Sequence, residues 1–78
     1  MRDMRGILKV GLIKRIRNYG EAMKVLDKNN KEIGVLVRIG KQYLFFARND
    51  PFYKEKISIL PESIRKDVEE SIRKLLQK

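Results

Sequence analysis

The 78 residues include no cysteine, no histidine, no tryptophan and no threonine. Without cysteine there are no disulfide staples and no thiolate metal sites, and the chain is indifferent to the redox state of its compartment. Histidine, the commonest general base, is missing too. Ser58, Ser63 and Ser71 are the only serines, and none stands in a nucleophile-elbow context. No glycine-rich phosphate loop leads into a helix. Enzymatic activity is therefore not expected, and neither is a metal or a cofactor. Long apolar runs are lacking as well. The N-terminal one is broken by Lys9 and Lys14, with no small-residue cleavage pattern after it, so neither a signal peptide nor a membrane span is read. The expected location is the cytoplasm.

Positive charge is abundant: 19 basic against 10 acidic side chains, a net +9. A composition rich in lysine and glutamate and poor in thermolabile residues resembles that of hyperthermophile proteins, but this does not account for the imbalance. The charge is also unevenly spread. Residues 1–20 carry six basic and one acidic side chain, residues 21–49 six and three, residues 50–78 seven and six. Nearly all the excess lies in the N-terminal 49 residues, as expected if that part faces a polyanion.

A chain of this length is one small domain that buries only about 60% of its unfolded surface or a little more. Its centre is residues 21–48, EAMKVLDKNNKEIGVLVRIGKQYLFFAR, which reads as a three-strand antiparallel meander. Asn29-Asn30 suits a type I′ turn, because asparagine tolerates the left-handed conformation, and Gly40-Lys41 suits a type II′ turn. Two-residue loops predict the register. Leu26 faces Ile33, Lys24 faces Val35 and Ala22 faces Val37; Ile33 faces Arg48, Val35 faces Phe46 and Val37 faces Leu44. One side then carries Ala22, Leu26, Ile33, Val35, Val37, Ile39, Leu44 and Phe46. The other carries Met23, Val25, Leu36, Phe45 and Ala47 and runs out to Glu21, Arg38 and Tyr43. Both are apolar near the middle, so both need cover. Gly34, opposite Val25 and Ala47, is where a sharp bend meets least resistance. Asp27 and Glu32 read as solvated loop charges neutralised by Lys28 and Lys31.

Residues 7–17 fit either a half-buried strand or a helical stripe, and Gly6 and Gly11 favour the strand, since each costs a helix about 1 kcal/mol. Asn18-Tyr19-Gly20 turns into the meander. After Asn49-Asp50-Pro51 the segment KISIL, 56–60, reads as a short strand. Pro61 and Glu62 then open a helix with Ile64, Val68, Ile72, Leu75 and Leu76 on one stripe. Its pairs Glu62–Lys66, Glu69–Arg73 and Glu70–Lys74 lie four apart in the favourable order. The predicted class is α+β: about five strands (7–17, 22–27, 32–39, 42–48 and 56–60) in a small curled sheet or SH3-like barrel, closed by a helix over 61–78.

The segment VLDKNNKEIGVLV resembles the opening hairpin of PRC-barrel-type domains, in which a strand ends in Asp, a polar turn follows and an Ile-Gly pair opens the next strand. Asp27, Ile33 and Gly34 match. The small barrel protein of box H/ACA ribonucleoproteins has a similar hairpin, although its Gly-Pro-Val segment is missing here. The resemblance implies a PRC-like barrel serving as an adaptor or RNA-associated module, without catalytic residues. The overall plan also looks like that of archaeal chromatin proteins. An RNA recognition motif is set aside: the stretch from Lys41 to Arg48 lacks that motif's glycines, and no helix follows the first strand.

The densest basic cluster is Lys14-Arg15-Ile16-Arg17, and the meander brings Arg38, Lys41 and Tyr43 toward the same end. These predict nucleic-acid binding, to DNA or RNA with little sequence preference, through phosphate contacts from Lys14, Arg15, Arg17, Arg38 and Lys41. Tyr43 is a candidate stacking platform. The alternatives are an acidic protein partner, as for an adaptor module, a membrane surface, or plain solubility. A sheet apolar on both sides, with Phe52 and Tyr53 nearby, also predicts a homodimer.

Overall fold

The computed structural model describes residues 8–76. They form strands β1 (Leu8–Ile16), β2 (Gly20–Asp27), β3 (Glu32–Ile39) and β4 (Gln42–Ala47), then helices α1 (Tyr53–Ile59) and α2 (Glu62–Leu76). The strands pair antiparallel in the order β1-β2-β3-β4. The class is α+β, as expected, but the sheet is open, with β1 and β4 at its margins. Of the two expected forms, a curled antiparallel sheet or an SH3-like or PRC-like barrel, the closed barrel is not formed. Among the described residues there are four strands and two helices rather than five and one.

The second turn follows the expected chemistry. Gly40 has φ +61°, Lys41 does not share the positive φ, and Ile39 pairs with Gln42. The first turn differs. Only Asn30 is left-handed, at φ 65°, so the turn is not type I′. The loop has one residue more, closed by Asn30 N–H to Asp27 O at 2.9 Å and Asp27 N–H to Lys31 O at 2.9 Å. The Asp27 carboxylate accepts the Asn29 and Lys31 N–H groups and holds the turn in this form. A register shift at Ile33 compensates. Leu26 faces Glu32 instead of Ile33, while Lys24–Val35 and Ala22–Val37 stand as expected.

The strand reading of residues 7–17 holds over Leu8–Ile16, with Ile7 outside the described residues. Its alternation does not. Val10 faces Val25 and Ile13 faces Met23, so Gly11 and Leu12 form a bulge against Lys24. One extra residue exchanges the faces of everything beyond it. Val10 is 51% exposed, yet Ile16, an even number of residues away, is only 2% exposed and belongs to the core.

The segment 56–60 is not a strand. It lies in α1 and its C-terminal cap. The Asp50 carboxylate organises the start of α1: Oδ1 accepts the Phe52 N–H at 2.9 Å, and Oδ2 accepts the Lys56 ammonium at 2.7 Å and the Ala47 N–H at 3.2 Å. On a helix Tyr53, Ile57 and Leu60 share a stripe, and all three pack in or against the core, whereas Ile59 points outward. Arg65 of α2 closes the other end, donating to the carbonyls of Leu60 and Ser58.

The core is one layer thick. Ile16, Ala22, Val35, Val37 and Phe46 face Ile64, Val68, Ile72 and Leu75 of α2, with Ile57 and Leu60 at the edge. The Phe46 and Tyr53 rings meet edge-on at 5.6 Å. On the helix surface Lys74 lies 3.6 Å from Glu70.

Gly34 has no room for a side chain. A Cβ there would lie 2.4 Å from the Phe46 carbonyl oxygen and 2.6 Å from the Phe45 ring. Gly34→Ala should therefore destabilise by about 1–3 kcal/mol or more, because a backbone atom would have to move. Phe46→Ala should cost about 3–5 kcal/mol, a large share of a small domain's stability. Ile59→Ala should stay within about 0.5 kcal/mol. Urea midpoints of the three variants check this ranking, and a neutral Gly34→Ala would contradict the close approach.

Candidate nucleic-acid interface

The face of the sheet turned away from α2 is built from cross-strand rows. Arg15, Glu21, Arg38 and Tyr43 are successive partners from β1 to β4, and so form one row. Ile13, Met23, Leu36 and Phe45 form the next, followed by Val10, Val25, Gly34 and Ala47. No helix covers this face among the described residues. Tyr43 is 62% exposed, Ile13 58% and Phe45 37%. At the far end Lys9, Val10, Val25, Ile33, Leu36 and Phe45 line an open groove of about 410 Å³. Ile33, expected on the core side, reaches this groove through the β3 bulge.

The six predicted residues divide into two groups. Arg15, Arg38 and Tyr43 share the open-face row, and Lys41 is exposed at the adjoining β3–β4 turn. Lys14 pairs with Ala22 and so lies on the helix side. There it lines a cleft with Arg17, Asp67, Glu70 and Lys74, which Arg15 also borders. Arg17, with a left-handed φ of 51°, extends Nε to within 2.7 Å of the Asp67 carboxylate. The Tyr19 hydroxyl donates to the same oxygen at 2.9 Å. Burial, together with this hydrogen bond, raises the pKa of Tyr19. The bulge in β1 puts Arg15 rather than Lys14 in the row, and the left-handed turn at Arg17 carries its side chain to Asp67. Phe45 was not among the predicted residues, although its spacing of two from Tyr43 already placed both on one side of a strand.

The cations of the open face are not equivalent. Arg38 grips Glu21 with two parallel bonds, Nε–Oε2 at 2.6 Å and Nη2–Oε1 at 2.7 Å, and also donates to the Gly40 carbonyl. This fork holds the Glu21 carboxyl below its usual 4.5 and raises the Arg38 pKa. Lys41 and Lys14 hold no salt bridge among the described residues. At the opposite end Glu32 is bridged by Lys24 at 2.9 Å and Arg48 at 2.7 Å, not neutralised by Lys28 and Lys31 as expected.

No helix among the described residues is long and apolar enough to cross a membrane. No protein-family model, no curated protein and no solved structure matches the chain.

Three carboxylates sit below their ordinary values: Glu21 through Arg38, Asp27 through the Lys31 N–H, and Asp50 through Lys56. A carboxyl whose folded pKa is depressed contributes stability above its unfolded pKa and loses it as the pH falls through the folded value. Stability should thus hold from neutral pH down to about 5 and decline below about 4. In Glu21→Gln the decline should be shallower. Urea unfolding at stepped pH checks this, and an identical acid limb in the variant would show that the Arg38 fork contributes nothing.

Proposed function

We propose that this protein binds nucleic acid, DNA or RNA, with little sequence preference, through the open face of its sheet. The observation that carries this reading is the row of Arg15, Arg38 and Tyr43 beside Lys41, on a face that no described helix covers, in a chain with net charge +9. Phosphates go to Arg15 and Lys41. Arg38, held by Glu21, offers a partly neutralised guanidinium plane beside Tyr43, which serves as the stacking platform. Lys14 and Arg17, on the helix side, add to the long-range field rather than to the contact.

The rival is a non-enzymatic adaptor module, the role implied by the PRC-barrel resemblance, which would dock an acidic protein or form a homodimer on the same face. The apolar rows favour it, since exposed apolar area often marks a protein interface. Salt dependence separates the two. Each phosphate neutralised adds about −0.9 to the log–log slope for duplex DNA and about −0.7 for single strands. Arg15→Ala with Lys41→Ala should flatten the slope by up to about two phosphates' worth. Arg17→Ala, Lys66→Ala and Lys74→Ala should do nothing comparable. No binding tighter than about 100 µM at low salt, or equal losses from α2 variants, would sink this reading and favour the adaptor, because non-specific binders reach that range even at physiological salt.

A further inference from the structure

We infer that the open face accepts single strands and excludes duplexes, with two consecutive bases lying on Tyr43 and Phe45; this rests on the nucleic-acid reading above. The first argument is shape. The outer strands of a four-strand sheet are about 14 Å apart before side chains are added, and a major groove is only about 12 Å wide. A duplex can therefore only lie on top of the face. Its phosphates would then be pressed on Val10, Ile13 and Leu36, losing water without gaining a donor.

A single strand reverses that chemistry. Its bases present apolar π-faces, which match the middle rows, while its phosphates can reach cations at the ends. Those cations stand at both ends, Arg15 and Lys41 near Tyr43 and Lys9 on the groove beside Phe45. Tyr43 and Phe45 are two apart on β4, hence on one side and about 7 Å from each other. The Phe45 ring is laid over Gly34, as the distances to a Cβ there show. That leaves a low aromatic surface bordering the groove of about 410 Å³, where a neighbouring base finds apolar walls.

A second copy fits less well. Four strands of six to nine residues span roughly 500 Å², short of the roughly 800 Å² per partner in a stable complex. Each copy would also bring its own +9. The face therefore matches a narrow polyanion with apolar faces better than a copy of itself.

The test is fluorescence anisotropy at low salt with a labelled pyrimidine strand of roughly 12 nucleotides, as DNA and as RNA, and a duplex of equal length. The single strand should bind at least about tenfold tighter than the duplex. Tyr43→Ala and Phe45→Ala should each weaken it by roughly 5- to 150-fold with the salt slope unchanged, because stacking releases no counterions. Tyr43→Phe should bind like the wild type. With no tryptophan in the chain, tyrosine emission should fall on binding, and fall less in Tyr43→Phe. Tyr43 is exposed enough that its variants keep the fold, so the test stands even if Phe45→Ala unfolds. Equal affinity for duplex, or Tyr43→Ala binding like wild type, overturns the inference and leaves phosphate-driven binding intact. No binding of either form overturns both. A sedimenting dimer at micromolar concentration that Ile13→Lys dissolves assigns the face to a second copy and overturns it as well.

Discussion

The contact between one stripe of α2 and one face of the sheet is the constraint from which the other features follow. Ala22, Val35, Val68 and Phe46 are fully enclosed by it, and among the described residues no second helix is long enough to do the same on the other side. A domain this small can fill one such layer and little more. Val10, Ile13, Tyr43 and Phe45 of the other face therefore remain at the surface, although Val25 beside them is buried, and α1 serves as an edge piece pinned by Asp50 and Lys56. Lys56 also donates to the Phe45 carbonyl, so the pinning helix caps part of the β4 margin.

Charge is sorted by the same geometry. Arginines that need a fixed position have a carboxylate: Arg17 has Asp67, Arg38 has Glu21 and Arg48 has Glu32. Exposed surface pairs of this sort contribute little to stability in general. Their effect here is orientational, tying the β1–β2 turn to α2 and holding the Arg38 guanidinium on Glu21 in the row that includes Tyr43. Lysines at turns and margins, such as Lys41, keep their charge free to act at a distance.

Much of the sheet was legible because turn chemistry is local. Gly40 and the apolar alternation around it determine the β3–β4 register, and the pairs Val35–Phe46 and Val37–Leu44 followed from that alone. The stripe of α2 was equally plain. Bulges were not legible, since one unpaired residue costs the pattern nothing until its partner strand is known. That is why Lys14 and Ile33 were assigned to the wrong company. KISIL failed for a different reason: five residues with two isoleucines fit strand and helix equally well. What decides is Asp50, whose side chain starts α1 from outside the window. Reading that segment as a fifth strand also produced the barrel. Of the candidate residues, Arg38 and Tyr43 share a row because the meander register is sound there, whereas Arg15 joins them only through the β1 bulge. The companionship of Phe45 with Gly34 depends on ring placement, which no pattern encodes.

The β1 bulge has a further consequence, for self-assembly. A marginal strand of nine residues is a template on which another chain can extend the ladder, the first step toward cross-β polymer. Gly11 and Leu12 interrupt the backbone groups at mid-strand, and Lys9 and Lys14 flank the break with charge. An incoming strand would find two short runs out of phase with each other. The irregularity that buries Ile16 thus also blunts the edge of a sheet whose apolar face no described helix covers.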